Sequence, residues 1–458
     1  MTSVAMRPAP VLAPVRVVDV DLARPGEFRL PAGPLLAEPQ GRVRALVRLH
    51  GHPLGMVSAA DLSGADGLWR AVAHAAEEEL AARAARHRAA DRAAAPDAGT
   101  DGWPCRQRHA TQRPPAISVI VATHDRPKQL RRCLHSLLRQ DYPEFEIIVV
   151  DNAPADGAAE ALVRGVFLEQ VRYVDEPVAG LARAHNRGLA RASGSLVAFT
   201  DDDTLVDPGW LSALAGTFED DSRIGCVTGL IVPAELETPA QIALERQGGF
   251  AKGYEPRVWS SADPPPDPLF PFTAGHFGSG ANMAFRTDVL RSMGGFDPAT
   301  GVGTPARGGD DLLAFFEVLT AGHALAYQPG AVVWHRHHRT QAALEAQVFG
   351  YGAGFAAYLT GAVLRNPRSL PALLHRIPGG IRHAVTRTRE RSADPEAAWS
   401  GRLALLEARG MAYGPCGYLR GRLAPPGVAI DVARAHRSLR RGAAPQTRPD
   451  RSATQRPL

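Results

Sequence analysis

Cysteine is scarce in this chain. Four of them, Cys105, Cys133, Cys226 and Cys416, lie scattered through 458 residues, with no Cys-x-x-Cys pair. That spacing argues against a disulfide framework or a zinc ribbon and fits a reducing compartment. Long apolar runs are missing too: no stretch approaches the ~20 residues of a membrane-spanning helix. Residues 1–8 lack the apolar core of a secretory signal. A cytoplasmic protein is expected, on its own or peripheral on the inner face of the cytoplasmic membrane. No internal repeats are evident. With 45% hydrophobic residues the chain is globular, and its length suits two or three domains at ~150 residues each.

Net positive charge is missing from the body and concentrated at the end. From residue 365 onward there are 18 arginines, no lysine and six acids, a net +12. The whole chain carries +5, so the remainder carries −7. An Arg-rich arm beside an acidic body suggests an anionic partner: a membrane surface, a lipid-linked acceptor or nucleic acid. The arm lacks interleaved aromatics for base stacking, which disfavours nucleic acid. Before it, residues 341–359 place aromatics on a helical pattern. That segment either lies in an interface or packs as a core helix ahead of a solvated tail.

The most informative stretch is Phe199-Thr200-Asp201-Asp202-Asp203, which follows the apolar Ser195-Leu196-Val197-Ala198 and precedes a helix start at Pro208-Gly209-Trp210. Three acids at the C-terminal end of a buried strand sit where open α/β sheets bind ligands. Adjacent carboxylates repel unless a cation joins them, and Mg²⁺ or Mn²⁺ carrying a phosphate is the usual partner. Alone, the run also fits a solvated loop. Its neighbours change that balance. Residues 117–123 form an apolar strand that breaks at Thr123-His124-Asp125-Arg126-Pro127, and a helix follows with Leu130, Cys133, Leu134, Leu137 and Leu138 at helical spacing. Residues 145–152 form another buried strand ending in Asp151-Asn152. Strands and helices then alternate, with polar residues at the strand ends, which predicts a doubly wound, mostly parallel α/β sheet.

Residues 117–340 resemble an inverting glycosyltransferase of family 2 with the GT-A fold. The resemblance rests on the two stretches just described, on Ala184-His185-Asn186-Arg187-Gly188 and on Phe199–Asp203. It continues through Gly278-Ser279-Gly280-Ala281-Asn282, Gly294-Gly295-Phe296-Asp297, Gly309-Asp310-Asp311-Leu312 and Val333-Trp334-His335. It implies that Thr123, Asp125, Asp151, Asn186, Asp201 and Asp202 hold the nucleotide sugar, and that an acid at Asp151 accepts from a nucleobase N–H. It implies a divalent cation, Mn²⁺ or Mg²⁺, at Asp203, Asp201 and His335. Gly280 and Asn282 fall where donor sugar and acceptor meet, and Asp311 falls on the general base. The family usually has Glu where Asp310 stands and often Arg where His185 stands.

The residue types agree with that chemistry. A leaving diphosphate needs positive charge, and an attacking hydroxyl needs a carboxylate within hydrogen-bond reach. Asp310 and Asp311 also suit the N-terminus of the helix that begins at Leu312, so one acid is expected to cap and the other to catalyse. His335, His337 and His338 could equally form a basic strand end. His335, at the strand's tip, is read as the ligand. The expected activity is sugar transfer from a nucleotide sugar to a glycan or glycolipid acceptor in cell-surface polysaccharide synthesis. A sugar nucleotidyltransferase is disfavoured, because no Gly-rich basic loop follows the first strand. A catalytically silent scaffold finds support only in Asp310.

Residues 1–100 read as a small α+β domain, with a strand at 15–20, a hairpin over 42–57 that turns at His50-Gly51-His52-Pro53, and an Ala-rich helix over 66–95. Residues 101–116 read as a linker, and 341–458 as a helical extension with a basic tail.

Overall fold

The computed structural model describes residues 14–61, 63–94, 114–376, 378, 379, 382 and 400–424. Residues 101–113 of the 101–116 linker and most of the Arg-rich arm lie outside the described residues.

The N-terminal part begins with β1 (Arg16–Asp21), β2 (Gly41–Leu49), β3 (His52–Asp61) and α1 (Ala65–Ala94). β1 runs parallel to β2, and β2 pairs antiparallel with β3. Helix α1 buries Leu68, Val72, Ala76, Leu80 and Ala84 against Val18, Val43, Ala45, Val47 and Val57. The four-residue spacing keeps these side chains on one helix face. Arg48 ties this layer to the rest of the molecule. Its guanidinium is 2.8 Å from Asp19 and 2.7 Å from Asp207, and its side chain is 9% exposed. A cation buried that deeply is tolerable only because two carboxylates meet it.

The large sheet is assembled from β4 (Ile117–Thr123), β5 (Phe145–Asn152), β6 (Val171–Glu176), β7 (Leu196–Asp201), β8 (Thr204–Val206), β9 (Ile224–Pro233), β10 (Arg257–Trp259), β11 (Asn282–Arg286) and β12 (Ala324–His335). Their order across the sheet is β10-β12-β9-β11-β7-β4-β5-β6, with β8 on the edge of β12. β6, β5, β4 and β7 are mutually parallel, as the alternating pattern predicts. β11 enters antiparallel between β7 and β9, so the second half of the sheet is mixed.

Side chains alternate across the sheet, as period-2 geometry requires. Val119 and Val121 of β4 face a layer made by α2 (Pro127–Leu137), α3 (Ala158–Val166) and α5 (Trp210–Asp220). Ile120 faces the opposite layer, built from α4 (Leu181–Leu189), α8 (Asp310–Thr320) and α9 (Gln341–Arg365). Shorter helices α6 (Pro239–Arg246) and α7 (Thr287–Ser292) complete this part. Phe199, Phe285, Phe296 and Phe315 are almost wholly buried here, each removing roughly 1.5–3 kcal/mol worth of apolar surface from water.

Helix α9 packs on α8, and the last described helix, α10 (Ser400–Leu423), packs on α9. Glycines permit this closeness. A Cβ at Gly414 would come 2.4 Å from the Ala353 carbonyl oxygen, and one at Gly410 would come 2.2 Å from that of Phe349. Leu344, Val348, Ala353, Ala357 and Tyr358 of α9 are buried. The segment packs as a core helix along the face that carries Tyr358, while Tyr351 is exposed. Among the described residues no helix is long and apolar enough to cross a membrane.

Candidate active site

The C-terminal ends of β4, β5 and β7 form one rim. There the apolar strands stop and polar side chains take over. Asp201 ends β7, and β8 begins one turn later, so Asp202 and Asp203 occupy a tight connection between them. β8 then pairs antiparallel with the end of β12, placing Thr204 opposite His335. This pairing brings His335 to Asp203, with Nε2 3.4 Å from Oδ1. Asp201, Asp203 and His335 each offer a ligand atom, all within 4.8 Å of one another.

The group fits a divalent cation. Asp203 Oδ1 is buried without a hydrogen-bond partner, a costly state unless something positive fills the space. Burial, and then repulsion from Asp203, Asp202 and Asp310, pushes the Asp201 carboxyl well up, as expected for acids lacking a counter-charge. Burial holds His335 near 4, so its ring is neutral. Its Nδ1 lies 3.0 Å from Nδ1 of His337, whose Nε2 lies 2.8 Å from Glu245. One Nδ1 of this pair donates to the other; when His335 is the donor, its Nε2 lone pair faces Asp203, the tautomer a metal ligand needs.

Asp202 points elsewhere. It accepts from the Thr123 hydroxyl at 2.7 Å and from Arg126 at 3.3 Å. Arg126 also donates to Asp203 at 3.1 Å. The sequence reading passed over Arg126, although it stands between the acid-bearing loop residue Asp125 and Pro127. Its position at the N-cap of α2 aims it at the acids.

Asp151 has one oxygen bonded to the Tyr173 hydroxyl at 3.0 Å, while its Oδ1 is buried and unpartnered. Burial raises its carboxyl. An acceptor held in reserve at a strand end suits an incoming N–H donor. Asp125 sits beside it in left-handed backbone, φ 53°, and accepts from Ala155 N–H.

Two expected residues are engaged internally. Asn186 gives its amide N–H to the Phe296 carbonyl at 2.7 Å and accepts from Phe296 N–H at 2.8 Å. Asn282 is fully buried, donates to the Leu230 and Ala331 carbonyls, and accepts from the Trp210 indole. Both hold backbone in place; Asn282 is wholly enclosed, whereas Asn186 is only partly buried.

Asp310 and Asp311 open α8 after Gly309, which adopts φ 85°. Asp311 accepts from Gly280 N–H and from Leu312 N–H, both at 2.8 Å. Burial, then the neighbouring Asp310, raises its carboxyl to about 6. Asp310 is buried, with its Oδ2 3.5 Å from Nδ1 of His185, and that nitrogen has no hydrogen-bond partner. Tyr351 of α9 borders the site with a ring that is partly exposed; loss of hydration, then the charges of Asp311, Asp203 and Asp201, push its phenol up. The sequence showed Tyr351 only as one of several helix aromatics.

Residues 118–294 match the family model for glycosyl transferase family 2. The pre-mycofactocin glycosyltransferase of Mycobacterium tuberculosis is 28% identical over 239 residues, 51% of this chain and 46% of that protein. An uncharacterized protein of the same species is 38% identical over 109 residues, 24% of this chain and 34% of that one. The chain thus spans less than half the length of either relative. Among solved structures, a mannosyltransferase from Pyrobaculum calidifontis, in complex with GDP-Man and Mn²⁺, aligns with a TM-score of 0.43 at 21% identity, over 68% of this chain and 88% of that one. Residues 118–294, which carry the acidic strand ends of β5 and β7, form a glycosyl transferase family 2 domain.

Proposed function

We propose that this chain transfers a sugar from a nucleotide-sugar donor to an acceptor hydroxyl, with inversion at the anomeric carbon. The observation that carries the reading is the meeting of two acid groups with different duties. Asp201 and Asp203 lie with His335 at one set of strand ends, and Asp310 and Asp311 lie at a helix start close enough for Asp310 to raise Asp201.

Asp201, Asp203 and His335 would hold a divalent cation, Mn²⁺ or Mg²⁺. Such an ion, when bound, neutralises the charge that develops on a departing diphosphate. Asp151, with its spare oxygen, takes a nucleobase N–H, and Thr123, Asp125 and Asp202 shape the nucleotide pocket around it. Asp311 takes the proton of the acceptor hydroxyl as the new C–O bond forms on the face opposite the breaking C–O bond to phosphate. The Gly280 and Leu312 N–H groups fix its carboxylate in place. Asp310 opens α8 and supports the pair. The acceptor is a glycan or lipid-linked glycan of the cell envelope, reached from the cytoplasmic side.

The experiment is a screen of nucleotide sugars for Mn²⁺-dependent release of nucleoside diphosphate, run beside Asp203→Asn. The wild-type chain should turn over at least one donor. The variant should stay folded and lose Mn²⁺-dependent affinity for the nucleoside diphosphate. Unchanged affinity in the variant sinks the assignment of Asp203, and no turnover of any donor with any acceptor favours a silent scaffold.

A further inference from the structure

A second group of ligand-type side chains lies in the N-terminal layer, on elements that contribute nothing to the acidic rim. We propose that His50, His87 and Asp91 form a divalent transition-metal site of the zinc class, which ties the β2–β3 turn to the C-terminal end of α1.

Each residue offers one ligand atom, and the three atoms lie within 4.8 Å of one another. His87 and Asp91 are four residues apart on α1 and therefore share a face. His50 comes from the two-residue turn between β2 and β3, where His50 and Gly51 take φ 54° and 85°. Positive φ at both central positions defines a turn that favours Asn-Gly or Gly-Gly. A histidine there is held against its backbone preference. The N–H groups of His50 and Gly51 are both fastened by the Asp21 carboxylate. An uncommon conformation fixed by its surroundings and spent on one side chain is a reason to look for what that side chain does.

The geometry is that of side chains converging on a third point. Asp91 Oδ2 lies 2.9 Å from His50 Nδ1 and 3.2 Å from His87 Nε2. Yet His87 Nε2 is buried with no hydrogen-bond partner, so it sits beside the carboxylate without being aligned to donate to it. A buried imidazole nitrogen left without a hydrogen-bond partner beside a carboxylate is suited to a cation between them. His52 stacks flat on His87, with ring centroids 4.7 Å apart, and fixes the ring plane.

A plain ion pair accounts for less. Contact with Asp91 alone leaves the buried His87 Nε2 without a hydrogen-bond partner. A cation takes both rings and the carboxylate together. Two imidazoles and one carboxylate suit Zn²⁺ and its neighbours better than Mg²⁺ or Ca²⁺. All three residues line a cavity of about 1190 Å³ between the N-terminal layer and the large sheet. Water from that cavity can complete the coordination.

The test uses the full chain carrying Asp203→Asn, so that the ion counted is not the one proposed for the acidic rim. Stripped with chelator, reloaded with Zn²⁺ and dialysed, this chain should retain one equivalent by elemental analysis. Adding His87→Ala should weaken Zn²⁺ binding by more than the ~10–100-fold that loss of an outer-shell partner costs. Asp91→Asn should act in the same direction. Co²⁺ in place of Zn²⁺ should give intense visible bands typical of low coordination number, displaced by Zn²⁺. This measurement needs no change in the N-terminal layer and so decides the matter if His87→Ala does not fold. No retained Zn²⁺, equal affinity with and without His87, or only a pale six-coordinate Co²⁺ spectrum would overturn the site.

Discussion

Replacing Asp311 by Asn separates the base from everything else Asp311 does. The carboxylate accepts two backbone N–H bonds at 2.8 Å, from Gly280 to one oxygen and from Leu312 to the other. An amide offers one oxygen and one NH₂, so one of these bonds is lost. A hydrogen bond to a charged group is worth roughly 1.5–3 kcal/mol. Against this stands the burden of the buried charge. Asp311 is raised from 3.8 to about 6 by burial and by Asp310, and a gap of that size corresponds to roughly 3 kcal/mol against the ionised form. The amide carries no such burden. That gap is already net of the two N–H bonds, and the amide keeps one of them, so the thermal midpoint of Asp311→Asn at pH 7 should not fall below that of the wild type. Transfer should not: loss of a positioned base costs roughly 10²–10⁴-fold.

The pH profile supplies a second reading of the same residue. The folded-state value is raised, so between about 4 and 6 the folded chain holds a proton that the unfolded chain has shed. Protonation therefore favours folding as pH falls through that window, while it removes the base. Wild-type transfer should decline below pH ~6 although the protein remains folded, and the apparent value belongs to the Asp310–Asp311 pair. The residual rate of the variant should lack this limb. The assay is initial-rate release of nucleoside diphosphate with acceptor present, alongside donor affinity by calorimetry, which should be unchanged. If Asp310→Asn does more damage than Asp311→Asn, or if the variant keeps the acid limb, Asp311 is not the base.

Three further outcomes follow from the packing and the charge distribution. In Gly309→Ala a Cβ would meet the Gly354 carbonyl oxygen at 2.3 Å, in backbone with φ 85°. The backbone conformation alone costs about 1–2 kcal/mol, so the melting temperature and transfer should fall together, and an unchanged melt refutes the close contact of α8 with α9. His337→Ala removes the ring that orients His335 and should weaken Mn²⁺ binding by ~10–100-fold with little change in melting; equal Mn²⁺ affinity would show that the His335–His337–Glu245 chain does not set the ligand. The Arg-rich segment from residue 365 onward, +12 by residue count, should carry the protein down with acidic vesicles at low salt and release it as salt rises, whereas equal sedimentation with neutral vesicles would rule out charge as the cause.

What the sequence determined by itself are the features set by local pattern. Apolar runs that stop at polar residues gave the strands β4, β5 and β7, the last two at an acid, and the spacing of Leu130, Cys133, Leu134 and Leu137 gave the buried face of α2. A buried strand must be apolar along its length and can turn polar only where the sheet ends, so strand-end acids are visible in one dimension. Which strand end meets which is a matter of pairing between distant segments. His335 reaches Asp203 because β8 folds back on β12, and Asp311 reaches Gly280 because α8 packs beside the β11 loop. Asn186 and Asn282 stand in the motifs that the resemblance marks, and an Asn there can serve a ligand or a backbone carbonyl equally well. Only tertiary structure shows that Phe296, Leu230 and Ala331 already hold them. The turn histidine His50 is likewise mute in sequence: its meaning depends on His87 and Asp91, about forty residues away on a helix whose docking the hydrophobic core alone decides.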